Sequence, residues 1–242
     1  MSDSAPVTSY SVDEQGVALL RLDRPKSRNA LNTQMLVELL EHLAVARGDD
    51  SVRVLVFSST DHMGLSAGAD VREELDSDAH VARMQLFSDL YDAVVTFPKP
   101  TIAACHGDVV GGGAEIAIAC DMRVGGSNLR MRFPGAALGM PVGPARLVTL
   151  CGLAAAKYLL FSSRTVGADE ALRIGLVNRV APAAATEDSA LDLATSVAAH
   201  PPEAVARLKA MLHEWDDVEG RSAAEGRGQV EHVRSGSALP FG

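Results

Sequence analysis

His106-Gly107-Asp108-Val109-Val110-Gly111-Gly112-Gly113-Ala114-Glu115, continued by the apolar run Ile116-Ala117-Ile118-Ala119-Cys120-Asp121, is the stretch on which the reading of this chain turns. Just upstream, Thr101-Ile102-Ala103-Ala104-Cys105 is short and apolar, as a buried strand is. A strand that turns through glycine into a helix aims unpaired backbone N–H groups, and the positive end of the helix dipole, at one point. An anion, or a group that becomes one during a reaction, suits that point. Three consecutive glycines remove every Cβ from the turn, so a ligand can lie against the main chain. Glu115 follows Gly112 by about one helical turn, which puts its carboxylate on the side of the Gly112 N–H. On these residues alone a plainer reading stays open, a tight turn whose Glu only favours the dipole of its own helix. The pattern is neither a dinucleotide fingerprint nor a phosphate P-loop, because it lacks both the G-x-G-x-x-G spacing and a Gly-Lys-Ser/Thr ending.

Upstream, residues 7–12 and 16–23 alternate as two strands around a turn at Asp13-Glu14-Gln15-Gly16. Pro25 bars a continuing central strand, and Asn32 is placed to cap a helix carrying Leu36, Leu39, Leu40 and Leu43 on one face. Residues 52–58 read as a buried strand. They lead through a polar loop to Leu65-Ser66-Ala67-Gly68-Ala69-Asp70-Val71-Arg72, a second corner of small residues open to a ligand. Residues 73–78 read as a charged, mobile linker, and Met84, Phe87, Tyr91 and Val94 mark an amphipathic helix ended by Pro98 and Pro100.

Downstream, residues 122–124 and 129–134 are two extended pieces; 143–150, 154–161 and 168–174 read as short helices; 177–180 returns as a strand. A helix covers 187–199, and Pro201-Pro202 starts another that carries Val205, Leu208, Leu212 and Trp215. The glycine- and charge-rich tail from Glu219 predicts no more than a short helix. This order of strand, strand, helix predicts an α/β fold of stacked ββα units rather than a doubly wound sheet.

A chain of 242 residues, 47% hydrophobic, can bury a sizeable interior, and a net charge of −9 argues against a nucleic-acid surface. No segment approaches about 20 uncharged apolar residues, and Met1 to Pro6 lack the features of a signal peptide, so a cytoplasmic location and no membrane contact are expected. Cys105, Cys120 and Cys151 are an odd set in apolar surroundings, which suits reduced thiols, and the seven His show no metal-ligand spacing. Arg21, Arg24, Lys26 and Arg28 form a local basic cluster, either a solvated turn or a pocket for a polyphosphate handle.

These motifs together resemble the crotonase superfamily, the enoyl-CoA hydratase/isomerase proteins, over roughly residues 10–215. The matching residues are Arg24-Pro25 with Asn29-Ala30-Leu31-Asn32, Ser66-Ala67-Gly68-Ala69-Asp70, Gly111-Gly112-Gly113-Ala114-Glu115 with Cys120-Asp121, Phe133-Pro134 with Leu138-Gly139, and Ala168 with Gly175-Leu176-Val177. The resemblance implies a spiral of ββα units over residues 1–185 that holds an acyl-CoA site, and a C-terminal helical trimerisation region and tail over 186–242. It implies a homotrimer or hexamer acting in fatty-acid metabolism, with no cofactor beyond the coenzyme A that the substrate carries. The thioester oxygen would lie between the N–H groups of Ala69 and Gly112, with Glu115 as acid/base. Lys26 and Arg72 would approach the CoA phosphates, and main chain at Ala30, Ala67 and Asp70 the adenine and pantetheine. Val71, Val109, Gly111, Phe133, Gly135 and Leu138 would complete the substrate site.

One feature of hydratases does not carry over. A second Glu follows the proline in them, and here Pro134 is followed by Gly135. Hydration needs one group to activate water and another to manage the α-carbon proton. Isomerisation needs one shuttling group, and decarboxylation needs mainly the oxyanion hole, so an isomerase, a CoA-thioester decarboxylase or a non-catalytic acyl-CoA-binding protein stands beside a hydratase. His106 and Asp108 are the candidates for a relocated acid, and Asp121 is expected to serve structure.

Overall fold

The computed structural model describes residues 5–236. The chain opens with a hairpin of β1 (Thr8–Val12) and β2 (Val17–Leu22), whose turn is held by the Asp13 carboxylate accepting from the N–H groups of Gln15 and Val17. Helix α1 (Thr33–Gly48) begins where Asn32 Oδ1 accepts from Met35 N at 3.1 Å. Three turns of strand, strand, helix follow: β3 (Val54–Ser59), β4 (Gly64–Ser66) and α2 (Ser77–Val95); β5 (Thr101–Cys105), β6 (Asp108–Val110) and α3 (Gly112–Ala119); β7 (Met122–Gly126), β8 (Arg130–Arg132) and α4 (Pro144–Ser162). Then come β9 (Thr165–Gly167), α5 (Ala168–Arg173), β10 (Arg179–Ala181), α6 (Thr186–Ala198), α7 (Pro202–Asp216) and α8 (Val218–Arg234).

In each turn the first strand joins a six-stranded sheet, ordered β1-β2-β3-β5-β7-β10, and the second joins a four-stranded sheet, ordered β4-β6-β8-β9. Successive turns pair parallel in both sheets, so the chain advances by one strand in each per turn. This is the spiral of ββα units that the order of elements predicts.

Side-chain alternation explains why the strands of the larger sheet read as unbroken apolar runs. Leu20, Leu55, Phe57 and Ala103 enter the main core against α1 and α2, while Leu19, Val54, Val56 and Ile102 face the opposite side. There α6 closes the sheet with Ala190, Ala194 and Ala198, one small residue per turn, which lets helix and sheet pack closely.

The structure corrects several local expectations. The central strand does not turn directly into a helix, because β6 intervenes; His106-Gly107 carries the chain from one sheet to the other, with Gly107 at φ +52 against the Met63 carbonyl, where a Cβ has no room. Residues 73–78 are anchored: Glu73 accepts from Thr33 N at 3.1 Å and pairs with Arg83 at 3.0 Å, while Asp76 caps α2. The two helices read at 143–161 are the halves of α4, broken at Gly152 (φ 75, ψ 163). By length and composition alone α4 could cross a membrane, but this break divides it and its Arg146 lies in a buried ion cluster.

The largest correction is α8, a helix of 17 residues where the glycine content predicts little structure. Tertiary packing overrides propensity there. Ser222, Gln229, Val230 and Val233 are buried, and Gly226 sits against Ser88 of α2, so the glycine permits the close crossing of the two helices.

Candidate active site

A cavity of about 320 Å³ lies where the corner after β4 meets the start of α3. Leu31 N donates to Gly68 O at 2.8 Å and Asp70 N donates to Leu31 O at 2.9 Å, a parallel bridge that brackets Ala69. In such a bridge the bracketed residue turns its own N–H away from the partner strand. The N–H of Ala69 finds no acceptor among the described residues. Gly112 opens α3, so its N–H lies among the four that a helix leaves unpaired, and it too has no acceptor there.

The two corners touch. A Cβ on Gly68 (φ +95) would stand 3.5 Å from Gly112 N, and one on Gly113 would stand 2.5 Å from the Ser66 Cβ. Ser66 Oγ donates to Asn29 O at 2.7 Å and accepts from Gly68 N at 3.1 Å, which pins one corner. At the far end of α3, buried Arg123 donates to Cys120 O and Leu176 O, each at 2.7 Å, and covers the negative end of the helix dipole. The positive end faces the cavity.

Glu115 lines this cavity with its side chain 1% exposed. Its Oε2 accepts from Arg146 Nη2 at 2.8 Å; its Oε1 has no partner among the described residues and faces Gly143, where a Cβ would approach to 2.6 Å. Arg146 lies over the Tyr91 ring at 5.0 Å and also pairs with Glu225 of α8 at 2.7 Å. Burial pushes the Glu115 carboxyl up to about 7, against the pull of Arg146 and with the Glu225 charge adding to the rise. Burial likewise raises the Tyr91 hydroxyl well above its usual value.

No other Asp or Glu lines the cavity among the described residues. At Gly135 a Cβ would stand 2.6 Å from Met140 O and 2.7 Å from Val142 Cγ1, so the following turn occupies the place a side chain would take. Neither relocated acid is available. Asp108 pairs with Arg28 at 3.0 Å and Arg130 at 3.2 Å, and His106 Nε2 donates to the Asp61 carbonyl at 2.8 Å. Asp121 accepts from Thr101 N and from Lys209, as a structural carboxylate does.

Of the residues expected at the substrate site, Ala67, Ala69, Val71, Gly111, Gly112, Glu115, Gly135 and Leu138 line the cavity. Val109 and Phe133 do not; both are in the core, and their neighbours Val110 and Pro134 take the cavity side. Lys26, Ala30, Asp70 and Arg72 lie outside the lining. Three members of the basic cluster are neutralised internally, Arg21 by Glu187, Arg24 by Asp70 and Arg28 by Asp61 and Asp108, which corrects the picture of a four-residue phosphate pocket. Lys26 and Arg72 are exposed and enter no ion pair among the described residues.

Sequence reading missed Arg146, Glu225 and Gln229. Arg146 had a signal, a charge beside the apolar Leu147-Val148 of a helix, where a buried guanidinium needs partners. Glu225 and Gln229 had none, since they reach the site only through the packing of α8.

The architecture is similar to that of the crystal structure of an enoyl-CoA hydratase/isomerase from Xanthobacter autotrophicus Py2, with a TM-score of 0.87 at 25% identity over 98% of this chain and 91% of that one. A monofunctional enoyl CoA isomerase from M. smegmatis is also similar, at TM-score 0.76 and 28% identity over 87% and 94% of the two chains. In sequence, the 2,3-dehydroadipyl-CoA hydratase of Escherichia coli (strain K12) is 35% identical over 208 residues, 85% of this chain and 81% of that protein. The stacked spiral with its glycine corner defines a crotonase-fold protein. The sequence pattern of the enoyl-CoA hydratase/isomerase family matches residues 13–232, and the chain belongs to that family.

Proposed function

We propose that the protein is an enzyme that binds an enoyl-CoA thioester with its carbonyl oxygen between the N–H groups of Ala69 and Gly112, and that Glu115 moves a proton between C2 and C4 of the acyl chain. The reaction is double-bond isomerisation. The Glu115 carboxylate removes the C2 proton of a 3-enoyl thioester, the electron pair moves onto the thioester oxygen as a dienolate, and the same carboxyl returns the proton at C4. Two preorganised donors stabilise that oxygen most in the transition state, at roughly 3–4 kcal/mol each. The carrying observation is that Glu115 is the only carboxylate lining the cavity among the described residues, with a pKa of about 7. Such a group is basic enough to take a proton at neutral pH and acidic enough to return it.

Lys26 and Arg72, exposed and in no ion pair among the described residues, would meet the CoA phosphates, with main chain at Ala30, Ala67 and Asp70 beside the nucleotide and pantetheine. Phe87, Leu138 and Val142 supply apolar wall for the acyl chain. Hydration is the second reading, supported by relatives such as the E. coli protein named a hydratase. The C-terminal helices serve assembly in this proposal: α7 has no buried residue and turns Leu208, Leu212 and Trp215 outward at 59%, 60% and 73% exposure, a face suited to further copies of this chain as a trimer or hexamer.

Assay with 3-enoyl-CoA and crotonyl-CoA tests the reaction. Isomerisation is expected to exceed hydration, and Glu115→Gln to lower it by about 10²–10⁴-fold while CoA-ester affinity by calorimetry stays. Hydration faster than isomerisation overturns the one-carboxyl reading, and thioester binding without turnover of either substrate returns the protein to the binding class.

A further inference from the structure

Arg146 joins two carboxylates that the chain brings from separate places. Its Nη2 donates to Glu115 Oε2 at 2.8 Å and to Glu225 Oε1 at 2.7 Å, and the three side chains are no more than 7% exposed. Glu225 is held by three further donors: Gly143 N at 2.9 Å, Ala145 N at 2.7 Å and Gln229 Nε2 at 2.9 Å. Two of these are N–H groups at the start of α4, which Glu225 caps from another helix. The same carboxylate therefore fixes the guanidinium on one oxygen of Glu115 and the Gly143 turn against the other.

We propose that Glu225 is a positioning residue for the reaction: by sharing Arg146 and holding the Gly143 turn, it sets the orientation and the proton affinity of Glu115. This rests on the reading of Glu115 as the proton carrier. One positive charge between two buried carboxylates leaves a net negative charge when both are ionised and none when Glu115 is protonated, so the cluster favours the proton. Take the Glu225 charge away and Arg146 serves Glu115 alone, which favours the carboxylate.

Other groups near Glu115 do not compete for this role. From α2, Tyr91 stays a neutral phenol, and Asp92 reaches the cluster only through Ser222, whose Oγ donates to Asp92 and accepts from Arg146 Nη1. His80 and Arg83 of α2 line the same cavity, and Arg83 is occupied by Glu73. From the strands, Arg132 of β8 lines the cavity, and its Nε donates to Ser163 O at 2.7 Å.

The test reads Glu115 directly. Carboxyl carbons are followed by ¹³C NMR against pH in the full chain and in Glu225→Gln, with Glu115→Gln assigning the resonance. Glu225→Gln is expected to weaken the Glu115 proton affinity about tenfold and to move the acidic limb of the isomerisation pH profile down by the same factor, with acyl-CoA affinity kept within about twofold. A folded Glu225→Gln protein that loses Tm but titrates unchanged at Glu115 overturns the proposal. Should the Gln variant fail to fold, Glu225→Asp keeps a carboxylate for the α4 amides while drawing it back from Arg146. The shift is then expected in the same direction but smaller, and an unchanged titration overturns the proposal equally. A shifted titration in a protein that turns over no thioester keeps Glu225 in place and removes the proposed reaction instead.

Discussion

Glu115 and Arg146 carry consequences that a single substitution exposes. The folded pKa of Glu115, about 7, lies above the ordinary 4.5, so the folded state holds this proton more tightly than the unfolded chain. Its contribution to stability is full below about pH 4.5 and is lost as the pH rises through 7. Urea unfolding of the wild type and Glu115→Gln across pH 4–8 checks this: the wild type is expected to lose stability relative to the variant over that window. Arg146→Met leaves two buried carboxylates without a counterion and is expected to cost about 3–5 kcal/mol at neutral pH. That cost shrinks in acid, where Glu115 is protonated. At this scale Glu115 was legible, because its spacing from Gly112 puts it on the cavity side of a helix. The pairing of the Arg146 guanidinium with it was not, since helical register gives a direction and no partner.

Among the elements, the glycines at the two corners and the turn after Gly135 matter most. Gly135→Glu, the change that restores the hydratase pair on paper, is expected to leave crotonyl-CoA hydration no higher and to lower Tm, because its Cβ meets Met140 O at 2.6 Å. Gly143→Ala combines a φ of +96 with a contact 2.6 Å from Glu115 Oε1, and is expected to lower turnover with the fold retained. The corners could be read because consecutive small residues have few other uses. The turn over Gly135 could not. A missing carboxylate is visible as a letter, whereas the backbone that fills its place comes from the fold of residues 139–143. Helix α8 marks the same boundary: its glycines argue against a helix locally, and only its seat on Ser88 shows why one of them is needed.

For the whole molecule, the exposed face of α7 sets the expectation that copies associate. A Leu208→Glu, Leu212→Glu double variant is expected to sediment as a monomer where the parent sediments as a trimer or hexamer. A parent that is itself monomeric defeats the assembly proposal. The order of apolar runs and amphipathic helices made the stacked ββα arrangement readable, whereas the sorting of Leu19 and Leu20, or of Val56 and Phe57, into two cores shows only once both faces of the sheet are covered. The splitting of the strands between two sheets was not readable, since β6 is three residues long and its partners are β4 and β8.

The succession of apolar runs and helices, the small-residue corners and the Glu one turn after Gly112 were thus written in the chain, consequences of local backbone geometry and apolar spacing, whereas the amide of Ala69 is freed by its bridge to the distant Leu31. The company Glu115 keeps was settled by folding alone. Arg146 from α4 and Glu225 from α8 meet it because separately encoded helices pack together, and the energy of a buried charge depends on what surrounds it in space.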